Sequence, residues 1–202
     1  DPVIARIIRN RDITGDEAIE EYLNGTLADI PSWKLLKDID KAVEIISGKI
    51  DAGTKMRIIG DYDIDGVTAT YILLKGFKRL GANVDTYIPD RVADGYGIHD
   101  HLIKKAMEDG IDTIVTCDNG ISASSQITYA KELGMTVVVT DHHEVPFTDT
   151  EEGRTYILPP ADAIINPKQA DCTYPNKNIC GAVVAMKLVF GLYGKYRLPE
   201  EE

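Results

Sequence analysis

Cysteine is scarce in this 202-residue sequence, and the three that occur, Cys117, Cys172 and Cys180, form no C-x-x-C pair. An odd count without paired spacing excludes a disulfide framework and a cysteine-based zinc site. A chain of this length buries about 70% of its unfolded surface, so its core can hold the fold without covalent staples. Long apolar runs are missing as well. The most hydrophobic stretch, 181–193, is broken by Lys187, and falls short of the roughly 18 apolar residues that argue for a membrane span. The sequence opens on Asp1-Pro2, without the basic and apolar regions of a signal peptide. These absences lead us to expect a soluble protein of a reducing cytoplasm with no membrane contact.

Basic residues are in the minority. Lys and Arg number 22 against 33 Asp and Glu, a net charge of −11, with a pI near 4.8. That balance excludes a broad basic surface that binds nucleic acid by counterion release. It leaves nucleic acid open as a substrate, because metal ions held by clustered carboxylates reverse the local potential.

Two regimes follow one another along the chain. Up to about residue 52, segments 17–23 and 36–50 have helical apolar spacing and are separated by a loop between Gly25 and Pro31. This is a helical lead-in. From Met56 onward, short apolar runs at 56–60, 84–88, 113–117, 136–140 and 163–165 alternate with amphipathic segments at 67–80, 98–107 and 122–133, and a last helix is expected at 181–193. Strands too apolar to have a solvated face, joined by helices, predict an α/β fold: a five-stranded parallel sheet covered by helices on both faces.

The segments that leave the strands share a chemistry. After the first comes Asp61-Tyr62-Asp63-Ile64-Asp65-Gly66, after the third Asp118-Asn119-Gly120, after the fourth Asp141-His142-His143-Glu144, and after the fifth Asn166-Pro167-Lys168. In a parallel sheet all four lie on the carboxyl edge, where open α/β folds bind ligands. Three carboxylates within five residues repel one another unless a cation or a solvated turn compensates. Taken alone, Asp61, Asp63 and Asp65 are equally compatible with a polar turn that caps the next helix. A calcium loop of the EF-hand type is excluded, because Ile72 stands where that loop needs Glu. With Asp118 and Asp141-His142-His143 on the same edge, the oxygen and imidazole donors suit a pair of manganese, magnesium or iron ions better than calcium. Arg91 follows the second strand and could fork onto a phosphate. Tyr62, Tyr87 and Tyr96 are candidates for stacking on bases, Lys168 for reaching a phosphate, and His99 and His101 are expected to be solvated.

The motifs D-Y-D-I-D-G at 61–66, T-C-D-N-G at 116–120 and T-D-H-H-E at 140–144 resemble the first three motifs of the DHH phosphoesterase family. I-P-D-R at 88–91, G-Y-G-I at 95–98 and the segment L-P-P-A-D-A-I-I-N-P-K at 158–168 are similar to its single-strand-specific 5′→3′ DNA exonuclease branch, which acts in repair and recombination. The resemblance covers about residues 54–190. It implies a 2-1-3-4-5 strand order and two Mn²⁺ or Mg²⁺ ions held by Asp63, Asp65 and His142, bridged by Asp118, with Asp61 nearby. It further implies His143 at the scissile phosphate or in proton transfer, with Arg91 and Asn166 holding the substrate. The implied reaction is hydrolysis of a terminal phosphodiester, with Asp118, His142 and His143 catalytic and 5′-mononucleotides released.

The family's fourth motif and its associated second domain do not occur before Glu202. The expectation is therefore a helical segment at 1–52, the phosphoesterase domain at 53–195 and a truncated end at 196–202. Such a domain is expected to act as a monomer on single-stranded DNA and to meet a single-strand-binding protein or helicase through a longer chain. Three other functions fit part of the pattern. The same chemistry could act on oligoribonucleotides or cyclic dinucleotides, and the fold could serve as a non-catalytic scaffold. A phosphorylation receiver would use Asp61, Asp63, Asp118, Thr140 and Lys168, but has no role for His142-His143.

Overall fold

The computed structural model describes residues 1–92, 94–95, 97–150 and 153–198. Tyr96, a candidate for base stacking, lies outside the described residues, as do residues 199–202 of the expected C-terminal end.

The chain divides into two compact units, Asp1–Ser32 and Trp33–Glu202. In the first, α1 (Pro2–Arg9) starts with proline behind the Asp1 N-cap, and α2 (Asp16–Asn24) carries Asp16 and Glu17 in its first turn. The second unit is built on a parallel sheet of β1 (Met56–Ile59), β2 (Val84–Tyr87), β3 (Thr113–Cys117), β4 (Thr136–Thr140) and β7 (Ala163–Ile165). The spatial order is β2-β1-β3-β4-β7. That is the expected 2-1-3-4-5 arrangement, with a further ribbon inserted before the last strand. Connections reverse direction between β1 and β3, which places the switch point of the sheet between them.

Alternation along the strands divides the core between the two faces. Met56, Ile58, Val115, Val138 and Ile165 face one side, under α3 (Ile39–Asp51), α4 (Ile64–Arg79) and α7 (Gly181–Tyr196). Ile59, Ile114, Val137, Val139 and Ile164 face the other, under α5 (Asp100–Glu108) and α6 (Ser124–Glu132). The second helix of the expected lead-in packs with the sheet. Ile39, Val43, Ile46 and Ile50 bury one stripe of α3 in the sheet core, so the compact unit starts at Trp33. Among the described residues no helix is long and apolar enough to cross a membrane.

Between β4 and β7 the chain forms an antiparallel ribbon, β5 (Phe147–Thr150) and β6 (Gly153–Tyr156), with every residue exposed. Arg154 lies 3.6 Å over the Phe147 ring.

The close packing of α4 on α7 depends on Gly76. A β-carbon there would fall within 3 Å of both γ-methyls of Val189, a buried β-branched side chain with little rotamer freedom. Gly76→Ala is expected to lower the melting temperature by roughly 3–10 °C, because overpacking outweighs the gain in helix propensity. Thermal unfolding checks this, and an unchanged midpoint would show that the two helices separate without penalty.

Candidate metal centre

β1 and β3 deliver the first acidic groups beside the switch point. Asp63 N-caps α4, accepting from the N–H groups of Asp65 and Gly66 at 2.9 Å each. Gly66 is required by close approach, since a β-carbon on it would collide with the backbone of Asp61. Asp61 is buried, and its Oδ1 has no hydrogen-bond partner. Burial pushes its carboxyl above the ordinary range; the Tyr62 N–H opposes this and the charge of Asp63 adds to it.

Asp118 follows β3 in a left-handed conformation, φ 59°, which non-glycine residues other than Asn and Asp rarely adopt. Its N–H donates to Thr140 O at 3.0 Å, which ties the ends of β3 and β4 together. The residue is 1% exposed. Its Oδ1 has His142 Nε2 at 2.9 Å and His143 Nδ1 at 4.0 Å, yet neither is aligned as a hydrogen bond and Oδ1 accepts none. Burial, followed by the charges of Asp65 and Asp63, pushes the Asp118 carboxyl up to about 8.

Asp141 organises the loop after β4. Its carboxylate, 1% exposed, accepts from Ile121 N at 2.9 Å, His142 N at 2.7 Å, His143 N at 3.1 Å and His143 Nδ1 at 2.7 Å. Burial alone would raise its pKa, but these hydrogen bonds outweigh it and hold the group below the ordinary carboxylate range. The same hydrogen bond raises His143, with burial opposing. His142 is lowered, first by burial and then by the charge of His143. Sequence alone identified Asp141 as one more oxygen donor; its place as the hub of the loop could not be read from residue type.

The donor atoms fall into two groups that share a corner. Those of Asp118, His142 and His143 lie within 4.8 Å of one another, as do those of Asp61, Asp63 and Asp118. Two unpartnered buried carboxylate oxygens among crowded acids fit divalent cations, which would supply the missing positive charge. Asp65 belongs to neither group. Its two oxygens accept from Gly181 N and Ala182 N at 2.7 Å each, capping α7, while Oδ2 stays 3.4 Å from His142 Nε2.

The remaining candidates divide. The Arg91 guanidinium sits 5.5 Å over the ring of Tyr62, which brings it to the first acidic loop. Tyr87 donates to Asp94, which also pairs with His101. His99, expected to be solvated, instead has Nε2 out of solvent and without a hydrogen-bond partner. The expected substrate contact from Asn166 is corrected. The residue is fully buried, its Nδ2 donates to His143 O at 3.0 Å, and its Oδ1 accepts from Lys168 N at 2.8 Å. Both ends of its side chain brace the histidine loop. The receiver pattern also loses its parts, because Thr140 Oγ1 donates to Thr116 O in the core and Lys168 pairs with Glu144 at 2.8 Å.

Residues 55–202 match the DHH family, N-terminal domain. The single-stranded-DNA-specific exonuclease RecJ of Escherichia coli is 37% identical over 192 residues, which cover 95% of this chain and 31% of that protein. RecJ of Bacillus subtilis is 38% identical over 200 residues, covering 99% of this chain and 24% of that one. The chain thus spans about a third or less of the length of these curated relatives. A crystal structure of exonuclease RecJ bound to manganese superposes with a TM-score of 0.72 at 31% identity, covering 82% of this chain and 40% of that chain. With the family match running over most of its length and three acidic motifs on one sheet edge, this chain belongs to the DHH family.

Proposed function

We propose that this chain is the catalytic core of a single-strand-specific DNA exonuclease, which removes 5′-mononucleotides with two Mn²⁺ or Mg²⁺ ions. The observation that carries this reading is the buried Asp118 carboxylate, shared by two donor groups, whose Oδ1 accepts no hydrogen bond. Asp61 and Asp63 complete one group with it; in the other His142 is the ligand and His143 stands beside it, and Asp65 lies next to His142. Bound there, a pair of ions would polarise the phosphate and lower the pKa of the attacking water. The protein's own groups do the rest. Asp141 fixes His143 through Nδ1, so Nε2 is the atom that exchanges a proton with the reacting oxygens. Arg91 holds the strand backbone. In the reaction the P–O3′ bond breaks, the released nucleotide keeps its 5′-phosphate and gains a proton on its 3′ oxygen, and the shortened strand begins with a new 5′-phosphate.

The catalytic unit of this proposal runs from residue 33 to 198, with residues 1–32 a separate helical unit. It acts as a monomer in cytoplasmic DNA repair and recombination, and meets a single-strand-binding protein or helicase through a longer chain. The test is manganese-dependent digestion of single-stranded DNA labelled at either end, with this chain beside Asp118→Ala. Mononucleotides released from the 5′ end by the parent alone are expected. Equal metal-dependent hydrolysis by Asp118→Ala would sink the proposal. Preference for short oligoribonucleotides or cyclic dinucleotides would reassign the substrate within the same chemistry.

A further inference from the structure

Next to Asp118, and outside both donor groups, lies a cavity of about 250 Å³ bordered by Gly97, His99, Asn119, Gly120, Ser122 and Gln126. It sits between the start of α5 and the start of α6, on the same sheet edge as the candidate metal centre. Two of its bordering side chains carry a buried polar atom without a hydrogen-bond partner, His99 Nε2 and Asn119 Oδ1.

Asn119 is the more informative. It is 2% exposed, and its Nδ2 donates to Ile59 O at 3.3 Å and Cys117 O at 3.1 Å, at the ends of β1 and β3. Because both neighbours of Nδ2 are carbonyls, the amide cannot be turned over without setting oxygen against oxygen. Oδ1 is therefore fixed as an acceptor, and a buried amide oxygen left without a donor forfeits the hydrogen bond it had with water. The missing partner must be an N–H or O–H donor. His99 Nε2 serves as donor or acceptor according to tautomer, and the Ser122 hydroxyl and Gln126 amide as either. Among the described residues its lining has no Lys, Arg, Asp or Glu, so it suits a neutral polar group and not a phosphate.

We infer that this cavity is a subsite for the nucleoside of the terminal nucleotide, whose base N–H donors satisfy Asn119 Oδ1 and His99 Nε2 while its 3′ oxygen, which carries the scissile phosphate, lies toward Asp118. This rests on the proposed nuclease function and adds the part of the substrate that the metal centre does not touch. The subsite would recognise the nucleoside through an N–H on the pairing edge of its base, which each of the four bases carries on one atom or another.

The test uses the whole chain in EDTA, so it does not depend on hydrolysis. Titration with 5′-dAMP is followed by calorimetry and by the imidazole carbon–proton resonances of His99. Saturable binding that shifts the His99 ring is expected, weakened at least about tenfold by His99→Ala and by Ser122→Trp, which closes the mouth of the cavity. Ser122 is exposed, so its replacement leaves the core intact; an unchanged melting temperature verifies this. Three results would overturn the inference: no binding at millimolar dAMP, which would leave the cavity to water; binding with His99 resonances unmoved; or equal binding by Ser122→Trp. The end-labelled DNA assay reports the nuclease reading separately, so dAMP binding without hydrolysis, or hydrolysis without dAMP binding, identifies which of the two has failed.

Discussion

Asp118→Asn is expected to raise the melting temperature of the metal-free protein by a few degrees, while reducing manganese-dependent hydrolysis by about 10³-fold or more. The two effects share one cause. Without a cation, the Asp118 carboxylate is buried beside the charges of Asp65 and Asp63, and its pKa is pushed from the ordinary 3.8 up to about 8. Between those values the folded chain holds a proton that the unfolded chain has lost. Stability of the metal-free protein must therefore fall as pH rises through that window. Asn removes this slope and also suits the left-handed backbone at this position. In the parent, Mn²⁺ must displace the same proton, so its stabilising effect should be larger at pH 8 than at pH 6. Melting curves in EDTA and in Mn²⁺ at both pH values test the argument, and a variant that still responded to Mn²⁺ would refute it.

Asp141→Asn should lower the melting temperature at pH 6 by roughly 5–15 °C and slow hydrolysis about 10- to 100-fold, without removing an atom from either donor group. An amide presents N–H groups to a site where four N–H groups already converge. His143 loses the hydrogen bond that raises its pKa and should titrate nearer the ordinary 6.5. The sign follows from both partners. The depressed Asp141 carboxyl contributes stability above 3.8 that is lost as pH falls through its folded value. The raised His143 contributes stability below 6.5 that is lost as pH rises through its folded value. The damage should thus be greatest between those limits and shrink in alkaline solution. Imidazole resonances of His143 followed against pH measure the shift directly, and an unmoved titration would show that Asp141 does not set it.

The parallel sheet was legible because β1, β3, β4 and β7 are buried on both faces, which leaves apolar runs such as Val137–Val139 between polar turns. The ribbon from Phe147 to Tyr156 was not legible. With every residue exposed, it has no buried face to impose an alternating pattern, and Thr148, Asp149 and Thr155 look like loop residues. α1 was also missed, since eight residues give too few turns to establish a period. At the site, residue type announced the acids and histidines, and their order along the chain announced the edge. What could not be read was how each polar group is used. Asp65 caps a helix that begins at Gly181, and Asn166 has both ends of its side chain taken by backbone. Those roles depend on partners brought close only by the finished fold.

The two donor groups draw on the ends of three strands, β1, β3 and β4, and Asp118 belongs to both. No single hairpin or helix carries either group complete. A chain that has paired only some of its strands offers isolated carboxylates, so a cation has nothing to grip until late on the folding route. Divalent ions would accordingly act as a latch and not as a template: they leave the speed of folding almost untouched and slow escape from the native state instead.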